Sequence, residues 1–112
     1  MLEGINLEEY TFYQVAGVDE LPNGERIFLD IGDKPIMLLN IGGQYFAIGD
    51  VCTHDDGPLG DGELVGFEII CPRHGAQFDV RTGKATKRPA VTSTPWYPVR
   101  VSGDQLEIGL PK

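Results

Sequence analysis

The sequence predicts an all-β protein of antiparallel hairpins, and three observations carry that prediction. Runs rich in β-branched and aromatic residues have the length of strands; they are RIFLDI (26–31), PIMLLNI (35–41), YFAIGDV (45–51), VGFEII (65–70), WYPVRV (96–101) and QLEI (105–108). Turn signals separate apolar runs; they are Gly32-Asp33, Gly42-Gly43, Thr82-Gly83 and Gly103-Asp104. Only VDEL (18–21) resembles a helical turn, so we expect a small sandwich or barrel.

Length, composition and charge limit the classes of function. The 112 residues, 41% apolar and 23% charged, fit one globular domain over 1–112. No apolar run is long enough to span a membrane, and MLEGINLEEY (1–10) lacks the basic start of a secretory signal, so we expect a cytoplasmic protein. The formal net charge of -8 disfavours nucleic-acid binding and suits docking to a basic protein surface.

The two cysteines and two histidines of the chain fall into two short motifs, Cys52-x-His54 and Cys71-x-x-His74. The first begins a long loop, about 50–64, that is rich in glycine and has no strand pattern, and such loops usually carry function. Four soft or borderline donors in two clusters indicate a metal site. A disulfide between the cysteines would leave both histidines unexplained, and a Cys–His dyad would use only one pair.

The distribution of donors favours a two-metal centre over a single zinc ion. Zinc sites usually take two like ligands from one turn, whereas each motif here offers one thiol and one imidazole. One iron bound by two thiolates and a second bound by two imidazoles is the ligation of a Rieske [2Fe–2S] centre. A structural zinc module remains the less favoured alternative.

The chain resembles the Rieske ferredoxins from about Tyr13 to its end. The matching stretches are CTHDDGPL (52–59), CPRHGAQFDVRTGKA (71–85), RPA (88–90) and YPVRVSGDQLEI (97–108). The resemblance implies a Rieske fold of stacked antiparallel sheets, with a small cluster-binding subdomain at one end. It implies ligand loops at about 50–64 and 71–78 and a covering loop at about 86–92.

The resemblance also implies roles for the residues of these loops. Cys52 and Cys71 would hold the inner iron of a [2Fe–2S] cluster, and His54 and His74 the outer iron near solvent. Other expected cofactor-binding positions are Gly57, Pro58 and Gly75, where the backbone turns tightly, Arg73, whose charge favours reduction, and Pro89 of the covering loop.

Departures from the respiratory and photosynthetic members of the family predict a low reduction potential. Gly57 and Arg73 replace a pair of disulfide-forming cysteines, and Ala76 and Phe78 replace hydroxyl donors near the cluster. Acidic neighbours (Asp55, Asp56 and Asp61) also disfavour an added electron. We therefore expect a potential near the low end of the Rieske range, about -150 mV.

The predicted function is one-electron transfer, without catalysis or a small-molecule substrate of its own, because the four donors leave no open metal position. An electron would pass from a reductase to a terminal oxygenase or related oxidoreductase by transient docking, leaving at His54 and His74, with Asp55 and Asp56 steering a basic partner. Alternatives are a small Rieske subunit of a nitrite reductase and an accessory ferredoxin of iron–sulfur assembly.

Overall fold

The computed structural model describes residues 6–60 and 62–112; Asp61 and the first five residues of the N-terminal stretch lie outside the described residues. Within the described residues, two short 3-10 turns and eleven strands follow one another. The elements are the 3-10 turns Leu7–Glu9 and Val18–Glu20, then β1 Tyr10–Gly17, β2 Arg26–Ile31, β3 Lys34–Ile41, β4 Gln44–Gly49, β5 Glu63–Val65, β6 Glu68–Ile70, β7 Gln77–Asp79, β8 Ala85–Lys87, β9 Trp96–Tyr97, β10 Val99–Ser102 and β11 Gln105–Pro111.

The strands form three antiparallel sheets, which confirms the predicted all-β class and its stacked sheets. Their strand orders are β1-β11-β10, β2-β3-β4-β9 and β5-β6-β7-β8. The third sheet carries the two Cys/His motifs, one on each side of the β5–β6 hairpin. In the part of the chain that the structure describes, no helix is long and apolar enough to cross a membrane.

Strand β3 explains how a small protein builds two cores. Its successive side chains point to opposite faces, so Met37 and Leu39 enter the core beside the Cys/His motifs, while Ile36 and Leu38 enter a second core under β11. All four are essentially inaccessible to water. A continuous apolar run such as PIMLLNI is typical of a strand that is buried on both faces.

Two predicted strands each divide into two. VGFEII turns at Gly66, where φ is +62°, so it contributes the end of β5 and then β6. WYPVRV divides at Pro98, which has no N–H to donate to a ladder. Strands β1, β7 and β8 were not predicted because YTFYQVAG buries only its last two residues and the other two strands are only three residues long.

Candidate metal centre

The two Cys/His motifs lie in loops with the same backbone hydrogen bonds. The first ligand loop (50–62) joins β4 to β5, and the second ligand loop (71–76) joins β6 to β7. The Cys52 N–H donates to the Gly57 carbonyl at 2.7 Å, and the Cys71 N–H donates to the Ala76 carbonyl at 2.7 Å. Each bond closes a loop of equal length that begins at its cysteine.

The fourth residue after each cysteine adopts a left-handed conformation. Asp56 has φ of +61° and Gly75 has φ of +77°, and their N–H groups donate to the carbonyls of Cys52 and Cys71 at 2.7 and 3.0 Å. Glycine adopts this conformation freely, and aspartate tolerates it better than most side chains. The tight turn expected at Gly75 is present, whereas its counterpart in the first loop is Asp56, not Gly57.

A close backbone approach brings the two loops together. The Cα of Gly62 lies so near β6 that a Cβ built on it would be 2.0 Å from the carbonyl oxygen of Ile70, the residue before Cys71. Arg26 of β2 donates from the same Nη1 to the carbonyls of Gly60 and Gly62 at 3.1 and 2.8 Å. Strand β2 of the neighbouring sheet therefore holds the return of the first ligand loop against β6.

The four candidate ligands divide by burial. Cys52 and Cys71 are free thiols with 0% and 1% of their surface exposed, and burial raises the pKa of the Cys52 thiol. His54 and His74 are exposed, and their rings meet edge to face with centroids 5.3 Å apart. The arrangement has an inner pair of sulfurs and an outer pair of imidazoles at the surface.

The distances between donor atoms fit two metal ions better than one. The two sulfurs and a carboxylate oxygen of Asp55 lie within 4.8 Å of one another, and neither imidazole belongs to that group. A tetrahedral metal with bonds of about 2.3 Å to sulfur and about 2.0 Å to nitrogen would bring four donors within about 4 Å of one another. The thiol pair suits one metal and the imidazole pair a second, which is the donor set of a Rieske [2Fe–2S] centre.

Arg73 connects the two ligand loops. Its Nε and Nη2 donate to both carboxylate oxygens of Asp55, at 2.5 and 2.9 Å, and its Nη1 donates to the Pro58 carbonyl at 2.9 Å. The guanidinium group holds the pKa of Asp55 well below its usual range, and the Gly57 N–H also donates to that carboxylate. The negative charge of Asp55 is therefore paired within the site.

The same guanidinium group leaves no room for a side chain at position 57. A Cβ built on Gly57 would lie 2.7 Å from Nη2 of Arg73. The absence of a side chain lets the guanidinium cross the loop and reach Pro58. Of the expected cofactor-binding positions, Gly57, Pro58 and Arg73 thus meet one another directly.

The segment expected as a covering loop, about 86–92, packs against the core of the cysteines through Ala90. Ala90 is buried in the same core as Cys52 and Cys71, while its neighbour Pro89 is exposed. The hydroxyl of Thr53 donates to the carbonyl of Thr92 at 2.5 Å and ties this loop to the first ligand loop. The role expected for Pro89 stays a prediction, and the sequence did not indicate Thr53, because a lone threonine inside the motif carries no distinctive signal.

Comparison with known proteins agrees with this geometry. Residues 11–98 match the Rieske [2Fe-2S] domain family. The ferredoxin component of biphenyl 2,3-dioxygenase from Rhodococcus jostii (strain RHA1) is 35% identical over 97 residues, which cover 87% of this chain and 91% of that protein. The 3-phenylpropionate/cinnamic acid dioxygenase ferredoxin subunit of Escherichia coli (strain K12) is 38% identical over 96 residues, covering 85% and 90%.

Solved structures give the same result. The ferredoxin of carbazole 1,9a-dioxygenase from Nocardioides aromaticivorans IC177 superposes with a TM-score of 0.83 at 34% identity, covering 91% of this chain and 99% of that one. A chain from a complex of reduced oxygenase and oxidized ferredoxin in carbazole 1,9a-dioxygenase superposes with a TM-score of 0.80 at 28% identity, covering 87% and 91%. A Mycobacterium tuberculosis chain named for the small subunit of an NADH-dependent nitrite reductase shares the fold at 19% identity, with a TM-score of 0.79.

The match over 88 of 112 residues defines the class of protein. This chain belongs to the Rieske [2Fe–2S] domain family. It is similar to the ferredoxin components of ring-hydroxylating dioxygenase systems along nearly the whole length of those proteins.

Proposed function

We propose that this chain is a one-electron carrier that binds a Rieske [2Fe–2S] centre through Cys52, Cys71, His54 and His74. Such a centre supplies reversible one-electron chemistry. The two thiols would hold the buried side, and the two imidazoles would face solvent and a docked partner. The 112 residues form a single Rieske domain whose function is electron transfer, not catalysis.

The observation that carries the proposal is the separation of the donors into two pairs. The thiols are buried within 4.8 Å of each other, and the imidazoles lie outside that group at the surface. A zinc module with four ligands around one ion would need all four donors close together. The exposed imidazoles also give an electron a short path to the surface, which a carrier requires.

The partners we propose are a reductase that supplies the electron and the terminal oxygenase of an aromatic-ring dioxygenase system that receives it. The support is the similarity to ferredoxins named for biphenyl, phenylpropionate and carbazole dioxygenases, and to one solved with its oxygenase. Similarity to the nitrite reductase subunit is limited to the fold. We place the protein in the cytoplasm, where soluble reductases and oxygenases meet.

A reductive titration tests the electron-carrier function. The purified protein should take up one electron per chain from dithionite, lose visible absorption and develop an EPR signal, with a midpoint near about -150 mV at the low end of the Rieske range. A Ser93→Ala variant, changed at an exposed residue just after the covering loop, should titrate like the wild type. A colourless protein that takes up no electron would refute the proposal, and a midpoint above about +200 mV would refute the predicted low potential.

A further inference from the structure

The charges at the ligand end of the molecule are divided between two segments. Residues 50–70 contain six acidic residues and no basic one, whereas residues 71–92 contain five basic residues and one acidic residue. In the third sheet, β5 with Glu63 forms one edge and β8 with Lys87 forms the other. The ligand end is therefore electrically polarised, although the whole chain has a net charge of -8.

Two of the basic side chains near the metal centre have no partner among the described residues. Arg73 is bound to Asp55, and Arg81 to Asp79. Lys87 and Arg88 are exposed, and neither makes a hydrogen bond or ion pair through its side chain to a described residue. The positive charges of Lys87 and Arg88 are therefore available to pair with carboxylates of another protein.

An exposed apolar side chain follows these two cations in the same segment of the chain. Val91 is 78% exposed, the highest value among the large exposed apolar side chains that the structure describes. It follows Ala90, which packs with the two cysteines, and precedes Thr92, whose carbonyl is bound by Thr53 next to His54. Lys87, Arg88 and Val91 form what we call the cationic rim, a border of the metal centre on the covering-loop side.

We propose that the cationic rim is a docking surface for a redox partner whose contact face presents carboxylates around an apolar recess. Arginine is enriched among the residues that contribute most to the affinity of protein interfaces. Val91 would enter the recess, and Lys87 and Arg88 would pair with the carboxylates. The proposal rests on the electron-carrier function, because it places the partner beside the exposed histidines.

This partner has the opposite charge from the one that the net charge predicts. At physiological ionic strength the Debye length is about 8 Å, so the charges within contact distance determine the docked geometry. Of the two acidic residues expected to steer a basic partner, Asp55 is already neutralised by Arg73, and Asp56 is left as the exposed carboxylate beside the centre. The negative charge of Asp55 is therefore largely balanced within the site and attracts a basic partner only weakly. Lys87 and Arg88 keep positive charges, unpaired among the described residues, that can attract an acidic one.

Protein-film voltammetry on electrodes of defined chemistry tests the proposal with a known surface in place of the partner. Gold carrying mixed carboxylate- and methyl-terminated alkanethiols imitates the proposed contact face, and gold carrying amine-terminated thiols imitates a basic one. The wild-type protein should give a reversible one-electron wave on the carboxylate surface. Arg88→Glu should lower the interfacial electron-transfer rate there by roughly tenfold, and Val91→Ser should lower it to a smaller extent.

Lys34→Glu is the matched control. Lys34 is exposed at the start of β3, in another sheet, and its substitution changes the net charge from -8 to -10, as Arg88→Glu does. It should leave the rate on the carboxylate surface unchanged. Equal effects of the two substitutions, or a wild-type wave only on the amine surface, would overturn the cationic rim while leaving the electron-carrier function intact. A protein without a visible cluster would overturn both.

Discussion

Arg26 offers a test of how one sheet positions the metal centre in another. Its guanidinium is half-buried and donates to the carbonyls of Gly60 and Gly62. Replacement by methionine keeps the apolar stem of the side chain but removes both hydrogen bonds. The two carbonyls then lose their donor at the point where the first ligand loop returns to β5.

The expected cost follows from the number and kind of bonds lost. A hydrogen bond from a charged donor contributes about 1.5–3 kcal/mol, and partial exposure and the shared donor atom reduce the sum to roughly 2–3 kcal/mol for the pair. For a chain of this size that corresponds to a fall in melting temperature of about 8–12 °C. Arg100→Met is the control, since Arg100 makes only surface contacts with the described residues, an ion pair with Glu107 and a cation–π contact 3.9 Å from the centre of the Phe12 ring, and their loss should cost about 1 kcal/mol.

The assay combines thermal melting by circular dichroism with hydrogen exchange of residues 59–62. Arg26→Met should melt at the lower temperature and exchange faster in that segment, and it should lose iron to a chelator sooner than the wild type does. If the melting temperature fell no further than in Arg100→Met, or if exchange in the segment stayed at the wild-type rate, the role assigned to Arg26 would be wrong.

Substitutions at three further positions test the ligand loops and the third sheet. Gly62→Ala should destabilise the fold by several kcal/mol, seen as a low yield of the coloured protein, because its Cβ would collide with backbone; a melting temperature equal to that of the wild type would contradict this close approach. Asp56→Ala should cost about 1 kcal/mol and Asp56→Gly almost nothing, because φ at this position is +61°; equal costs in thermal melting would argue against the left-handed turn. Arg81 lowers the pKa of Asp79, so the ion pair stabilises the fold above the ordinary pKa of aspartate and this contribution is lost as the pH falls through the lower folded-state value. Between about pH 5 and pH 2 the melting temperature of Asp79→Asn should therefore fall less than that of the wild type. Equal falls in melting temperature over that range would refute the stabilising role of the ion pair.

The sequence predicted the β class and the candidate ligands because those signals are local. Apolar runs between glycine turns identify strands, and four metal-binding residues in two motifs identify a site without any tertiary information. The family resemblance then supplied the expected covering loop at about 86–92 with Pro89 in it, and that assignment stays a prediction. These predictions needed only residue identity and spacing along the chain.

The remaining features depend on contacts between distant segments, so no local pattern indicates them. The sequence pattern places Arg26 only as the first residue of a strand. In the structure its side chain donates to the carbonyls of Gly60 and Gly62, 34 and 36 residues further along the chain. Net charge predicted a basic partner for the protein as a whole, but it could not show that Asp55 is paired with Arg73. In the first ligand loop the left-handed residue is Asp56, not Gly57. Gly57 instead supplies the carbonyl, five residues after Cys52, that accepts the hydrogen bond closing the loop.

The central claim is that the thiol pair and the imidazole pair bind two different metal ions of one cluster. The most direct measurement is the metal and acid-labile sulfide content of protein purified without oxygen. The account predicts about two irons and two sulfides per chain. One zinc ion per chain with no sulfide would contradict it.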